Sequence, residues 1–162
     1  MHPAVIERII LTHLSEIQGY LGKDFVSEPS RAWRNFFIPI ANRSSEVYSD
    51  VWHQDSHDGN RLLKVFVLLE PVHETDGPLH FLSLTQTRKY WSKVHRRTKA
   101  PRQDFHDQNI FTGSCGHYMI IDTSRHMHRA GVPDHHRDML QVTLYPSWRA
   151  GYKGEVRTQW LV

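Results

Sequence analysis

Two side chains of metal-ligand type stand two positions apart near the first third of the chain. The segment Trp52-His53-Gln54-Asp55 places an imidazole and a carboxylate at positions i and i+2. In a β-strand such positions point to the same face. His53 and Asp55 can therefore supply two ligands to one metal ion, and a third must come from elsewhere.

The third ligand can come from residues 122–131, which contain His126 and His128. In a strand these two histidines share a face, so spacing does not separate them. Two histidines and one carboxylate form the facial triad typical of non-haem Fe(II), which leaves coordination positions open. A bidentate 2-oxo acid and O2 can take those positions.

A 2-oxo acid with a second carboxylate needs a cation as well as a metal. Arg137 lies nine residues after His128, at the start of a predicted strand, and a hairpin of that length can return it to the metal. Its planar guanidinium binds carboxylates through two hydrogen bonds. Lys64 follows the first ligand pair and can also reach a carboxylate, although a solvated or snorkelling lysine is the favoured interpretation.

The elements that must position these residues are mostly short strands. Residues 3–21 carry apolar side chains at three- to four-residue spacing and predict one leading helix that ends at Gly22. Residues 85–97 are interpreted as helix or loop. Strands are predicted at 33–40, 46–52, 62–69, 79–82, 117–122 and 138–145. One helix followed by many short strands predicts an all-β barrel or jelly roll with helical decoration.

Several motifs occur in an order that is known from one enzyme superfamily. After HQD at 53–55 and the strand 63–69, the pieces are ETDGPL at 74–79, GSCG at 113–116, MIID at 119–122, HRAG at 128–131, and Arg137. Over residues 52–147 the chain resembles the Fe(II)/2-oxoglutarate-dependent oxygenases, and within them the phytanoyl-CoA dioxygenase group. The resemblance favours His128 over His126 as the third ligand.

The resemblance implies a fold, a cofactor and a reaction. It implies a single domain over residues 1–162, with a leading helix at 1–22 and a double-stranded β-helix core at 33–147. Fe(II) would be held by His53, Asp55 and His128. The cosubstrate 2-oxoglutarate would be bound by Arg137, with Lys64 as a further candidate. With O2, a small organic substrate would be hydroxylated or desaturated, and succinate and CO2 released.

Two departures from the pattern bear on the substrate. Residues 80–85 read HFLSLT where the group often has Pro-Gly-Ser-His, and only about 50 residues precede the HQD motif. A CoA thioester substrate is therefore not implied. The elements that cover the substrate are expected to be reduced or to come from a partner chain.

Two other classes of protein share part of this pattern. A cupin-like hydrolase or isomerase with Zn or Mn would use the same barrel and ligands but would not need Arg137. A barrel that only binds a ligand would need neither. A nucleic-acid demethylase would place a second arginine six residues after the first, where this chain has Thr143, so nucleic acid is disfavoured as a partner.

Length and composition limit the class of protein that this chain can be. The 162 residues fit one domain, and the net charge is +3. The single cysteine, Cys115, excludes an intramolecular disulfide and favours a reducing, cytoplasmic location. No apolar run reaches the length of a membrane span, and the first residues lack a signal-peptide pattern. The expected partner is a small-molecule substrate, and the oligomeric state is left open.

Overall fold

A computed structural model describes residues 4–39, 42, 49–55, 61–94, 105–147 and 158–160. The helices are α1 (Ala4–Thr12), α2 (Leu14–Leu21) and α3 (Leu84–Val94). The strands are β1 (Phe25–Ser27), β2 (Arg31–Phe36), β3 (Leu63–Leu68), β4 (Leu79–Phe81), β5 (Asn109–Phe111), β6 (Tyr118–Ile121), β7 (His128–Ala130), β8 (His136–Pro146) and β9 (Thr158–Trp160). None of the described helices is both long and apolar enough to cross a bilayer.

The leading segment is interrupted at His13, so the prediction of one leading helix was wrong. The hydroxyl of Thr12 donates to the Arg8 carbonyl at 2.8 Å, a bond that competes with the helical ladder and often bends helices. The apolar spacing continues across the break, because the His13 N–H still bonds to Ile9 O and the Ile17 N–H to His13 O. Both helices therefore bury one continuous apolar stripe, formed by Ile6, Ile9, Ile10, Ile17 and Leu21.

The large sheet is antiparallel and is built around β8. One edge of β8 pairs with β2 and β1, and the other edge pairs with β3, which in turn pairs with β6. Alternate residues of β3 and β8 face opposite sides. One side packs under α1 and α2 through Leu63, Val65, Val67, Leu140, Val142 and Leu144. The other side carries the polar and aromatic residues of the candidate site.

The small sheet has the order β5-β4-β7, and its register places Phe81 opposite His128. The predicted turn before β4 is present, with Gly77 in the left-handed region at φ 63°. No ladder joins the two sheets within the described ranges, so the structure has a β-rich core with three helices, and closure into a barrel is not observed. The core also extends beyond 33–147, because β1 and β9 belong to the large sheet.

Most predicted elements occur with shifted ends. The strands predicted at 33–40, 62–69, 79–82, 117–122 and 138–145 correspond to β2, β3, β4, β6 and β8. Residues 85–97, interpreted as helix or loop, contain most of α3. The strand predicted at 46–52 is not observed over 49–52, while 46–48 lie outside the described residues. His53 forms instead an isolated bridge with His128.

Candidate metal centre

The bridge between His53 and His128 brings the predicted ligands together. Each residue's N–H donates to the other's carbonyl at 3.0 Å, and the two rings lie 4.4 Å apart. Asp55 follows on the same side. Its Oδ1 is 3.7 Å from His53 Nε2, and its Oδ2 is 3.5 Å from His128 Nε2. Three ligand-type side chains that are up to 75 residues apart in sequence, from His53 to His128, thus share one site.

Both imidazoles are oriented by backbone carbonyls. His53 Nδ1 lies 2.8 Å from Val51 O, and His128 Nδ1 lies 3.1 Å from His126 O. A carbonyl only accepts, so Nδ1 carries the proton in each ring and the Nε2 lone pair faces Asp55. This is the arrangement that fixes the tautomer of metal-binding histidines. His126 itself turns its Nδ1 to Leu82 O at 2.7 Å.

The protonation states also suit a metal. Burial alone raises the pKa of Asp55, but the positive charge that His128 carries in acid, together with the Lys64 ammonium, outweighs this effect and holds that pKa below its usual range. Burial lowers the pKa of His128. At neutral pH the site therefore holds an ionised carboxylate and a neutral buried imidazole, which are the forms that bind metals.

Lys64 lies inside the site. Its Nζ is 2.8 Å from Asp55 Oδ2, and its side chain is 17% exposed. The interpretation of Lys64 as a solvated or snorkelling lysine was therefore wrong. It lies on the face of β3 that looks towards the candidate ligands, because it alternates with Leu63 and Val65 on the opposite face.

A cavity of about 260 Å³ opens beside the three ligand-type residues. It is lined by Trp33, Asn35, Ser49, His53, Asp55, Lys64, Phe66, Leu79, His128, Ala130, Arg137, Met139 and Gln141. The sequence analysis did not name Asn35, Met139 or Gln141 as candidate site residues. Strand alternation from Arg137 along β8 is the signal that points to the last two.

Arg137 is almost fully buried in this cavity, at 2% exposure. Its Nη1 donates to Gly77 O, and its Nε has no hydrogen-bond partner among the described residues. Burial lowers the pKa of Arg137 to about 10, so the guanidinium remains charged at neutral pH. A buried cation with an unsatisfied donor is costly unless an acceptor binds there.

Gly77 and Gly131, two glycines of the sequence motifs, position the backbone carbonyl that accepts a hydrogen bond from Arg137. A Cβ on Gly131 would lie 2.7 Å from Gly77 C, and one on Gly77 would lie 2.4 Å from Pro133 N. The loops before β4 and after β7 therefore cross in direct backbone contact. The crossing fixes the Gly77 carbonyl that receives Arg137.

No protein-family model matches the chain, and no curated protein matches it by sequence. Solved structures do match its fold. The nickel complex of ThoJ, described as a non-haem monooxygenase, superposes with a TM-score of 0.52 at 17% identity, over 90% of this chain and 51% of ThoJ. Iron-bound HygX from Streptomyces hygroscopicus gives 0.54 at 12% identity, over 88% of this chain and 68% of HygX. The chain shares the fold of these proteins.

A third match is SnoN, a non-haem α-ketoglutarate-dependent epimerase from nogalamycin biosynthesis, with a TM-score of 0.52 at 15% identity over 89% of this chain and 61% of SnoN. HygX has also been solved with nickel and 2-oxoglutarate. The chain spans about half the length of ThoJ. None of these three proteins is described as a phytanoyl-CoA dioxygenase, so that closer assignment stays a prediction.

Proposed function

We propose that this chain is an Fe(II)- and 2-oxoglutarate-dependent dioxygenase of the double-stranded β-helix type, acting on a small organic substrate. One observation carries the proposal. Two oriented imidazoles and a carboxylate meet at a cavity that also contains a buried guanidinium with an unsatisfied donor. A metal-dependent hydrolase or isomerase would use the three ligands, but its chemistry would not need the buried guanidinium of Arg137.

The metal would be held by His53 Nε2, His128 Nε2 and the Asp55 carboxylate. Two imidazole nitrogens and one carboxylate suit Fe(II) and leave its other positions open towards the cavity. When bound, the iron supplies the O2 chemistry. The protein contributes the neutral imidazoles, the charge of Asp55 and a largely buried setting, since His53 and His128 side chains are 8% and 5% exposed.

The cosubstrate would lie between the metal and Arg137. The guanidinium offers its remaining donors to the distal carboxylate, which would satisfy the Nε that has no partner. Lys64 is a second cation on the same cavity wall and is proposed to bind the carboxylate nearer the metal while it stays close to Asp55. Two cations in a narrow cavity attract a dianion such as 2-oxoglutarate.

The substrate would meet a surface of mixed character. Trp33, Phe66 and Met139 supply apolar contacts, and Asn35 and Gln141 supply hydrogen-bonding groups. This lining suits a small molecule with both apolar and polar parts, to be hydroxylated or desaturated. A HygX structure contains hygromycin B, which supports a small natural product as the type of substrate. The elements that cover the substrate are proposed to be reduced or to come from a partner chain.

Ligand-induced thermal stabilisation tests this proposal. Mn(II) replaces Fe(II) so that the sample can be handled in air, and the midpoint of unfolding is measured with and without 2-oxoglutarate. A ligand that binds only the folded state raises this midpoint. We expect 2-oxoglutarate to raise it only when Mn(II) is present, and to lose the effect in Arg137→Ala.

The control variant is Arg34→Ala, which removes an exposed arginine on the face of β2 opposite the cavity-lining residues Trp33 and Asn35 and should respond like the wild type. Stabilisation by Mn(II) without any further effect of 2-oxoglutarate would contradict the oxygenase and favour the hydrolase or isomerase. No effect of either ligand would favour a barrel that is only a binding module.

A further inference from the structure

The second helix is tied to a turn at the far end of β6. The Tyr20 hydroxyl, on α2, donates to Asp122 Oδ2, and Arg125 lies close enough to interact with the same hydroxyl. Arg61 donates to the Tyr20 carbonyl at 2.9 Å, and its guanidinium lies 5.3 Å from the centre of the Tyr20 ring. Tyr20 therefore joins three segments that are distant in sequence.

The other oxygen of Asp122 organises the turn formed by residues 122–126. Asp122 Oδ1 accepts from the Ser124 N–H at 2.8 Å, from the Ser124 hydroxyl at 2.5 Å and from the Arg125 N–H at 3.1 Å. The Asp122 carbonyl accepts from the His126 N–H at 2.9 Å. One buried carboxylate thus closes the turn on one side and receives α2 on the other.

Two of the three proposed metal ligands, Asp55 and His128, are hydrogen-bonded to carbonyl groups of this turn. The Asp55 N–H donates to the Thr123 carbonyl at 3.1 Å. The His126 carbonyl lies 3.1 Å from His128 Nδ1 and orients that ring. A displacement of the turn would move the Asp55 backbone and release the His128 imidazole together.

We propose that Tyr20 is a positioning residue for the metal centre, because it docks α2 on the turn 122–126 and so holds Asp55 and His128 in place. The inference rests on the proposed function, since it assumes that these residues bind a metal. Coupling between two sites is reciprocal in free energy. A metal ion at the centre must therefore stabilise the docking of α2 by the same amount as docking stabilises the metal.

The chemistry of the phenol suits this role. Burial, and next the hydrogen bond to Asp122, raise the pKa of Tyr20, so the hydroxyl keeps its proton at neutral pH and remains a donor. Tyr20→Phe removes only that hydroxyl. The Asp122 carboxylate would keep its bonds to the turn but lose its connection to the helix.

Tyr118 supplies a matched control. Its hydroxyl lies 2.8 Å from His13 Nε2, so it also bridges the leading helices and the large sheet through one phenol. It begins β6, at the opposite end from Asp122, and no hydrogen bond links its side chain to a proposed ligand among the described residues. Tyr118→Phe therefore tests the loss of a similar bridge without loss of the turn.

The experiment titrates Co(II) into the metal-free full chain and follows the visible absorption of the ion. We expect Tyr20→Phe to weaken Co(II) binding by about tenfold, the lower end of what loss of an outer partner costs a metal site. Tyr118→Phe should stay within about twofold of the wild type. Hydrogen exchange of the amides of α2 should slow on Co(II) binding in the wild type and much less in Tyr20→Phe.

The outcomes separate the two proposals. Co(II) binding that is equal in wild type and Tyr20→Phe, or weakened equally by both phenylalanine variants, would overturn the positioning role and leave the metal centre standing. A wild-type chain that binds no Co(II) would overturn the proposed function and this inference with it. Thermal unfolding of each metal-free variant shows whether the fold itself has been lost, and rescue by Tyr20→His, which can still donate, would support the hydrogen bond.

Discussion

Among the described residues, two clusters of histidine and carboxylate side chains have similar spacing but differ in burial and in hydrogen-bond partners. The inner cluster is His53, Asp55 and His128. The outer cluster is Glu70, His136 and Asp138. In each, three ligand-type atoms lie within 4.8 Å of one another. The imidazoles of the inner cluster are 8% and 5% exposed, whereas that of His136 is 41% exposed.

The partners of the two clusters differ as well. Arg34 donates to both oxygens of Asp138, at 2.6 and 2.5 Å, and Glu70 accepts from the Asp138 N–H and lies 3.1 Å from His136 Nε2. His136 Nε2 and both oxygens of Asp138 are thus already engaged. In the inner cluster both Nδ1 atoms are held by carbonyls and both Nε2 atoms face the carboxylate. Proximity of ligand-type residues does not define a metal site; orientation and burial do.

Removal of one imidazole from each cluster should give the largest contrast. His128→Ala takes away one of three ligands, so we expect Co(II) affinity to fall at least about 100-fold. His136→Ala should change it by less than twofold. Calorimetric titration of both variants measures this. Equal losses, or a loss only in His136→Ala, would reverse the ranking of the two clusters.

Removal of one arginine from each region should separate cosubstrate binding. Arg137→Ala removes the buried guanidinium, and we expect the Kd of 2-oxoglutarate on the Mn(II)-loaded chain to rise about 30- to 100-fold, as for a buried charged pair. Mn(II) binding itself should be unchanged. Arg34→Ala is the matched control and should leave both constants within twofold. A Kd that does not respond to Arg137 would show that the carboxylate binds elsewhere.

The backbone crossing behind the inner cluster should be sensitive to one methyl group. A Cβ at Gly131 meets the Gly77 backbone at 2.7 Å, so Gly131→Ala should lower the free energy of unfolding by about 1–3 kcal/mol and weaken 2-oxoglutarate binding through Arg137. Gly19→Ala, in α2 with nothing within 4 Å of the added carbon, should instead raise it by about 0.5–1 kcal/mol. Denaturant unfolding checks both. A neutral Gly131→Ala would show that the crossing tolerates a side chain.

Low pH should lower the free energy of unfolding of the metal-free chain because of His128 in the inner cluster. Burial lowers the pKa of His128, so below a pH of about 6.5 the unfolded chain binds a proton there that the folded chain does not. The contribution of the neutral His128 imidazole to the free energy of unfolding is complete above that pH. It falls as the pH decreases, by at most about 1.4 kcal/mol per pH unit. Urea unfolding between pH 7 and 5 should show a shallower decrease in His128→Gln. Identical slopes would contradict the buried neutral imidazole.

Local patterns predicted part of the inner cluster, whereas His128 was favoured over His126 only by the resemblance to a known superfamily. The spacing of His53 and Asp55, the alternation of β8 and the apolar run of β3 each follow from a few neighbouring residues. The same rules failed at residues 49–52, where the chain approaches the site without a strand. One bridge to His128 aligned the ligand there, and a single bridge leaves no periodic signal.

Contacts between segments that are distant in the chain could not be predicted from the sequence. Lys64 was interpreted as solvated, since nothing on its own strand shows that Asp55 lies 2.8 Å away. Tyr20 and Asp122 are 102 residues apart and meet through packing of a helix on a turn. Both contacts depend on long-range packing, which leaves no pattern of residue spacing in a single sequence.

The most direct test of the central claim is an anaerobic titration of Fe(II) and 2-oxoglutarate into the metal-free chain, followed by visible absorption. Chelation of iron by the 2-oxo acid gives a weak charge-transfer band. We predict that the wild type forms this band, that His128→Ala does not, and that Arg137→Ala needs far more 2-oxoglutarate to reach it. Iron that binds without any band at saturating 2-oxoglutarate would contradict the account.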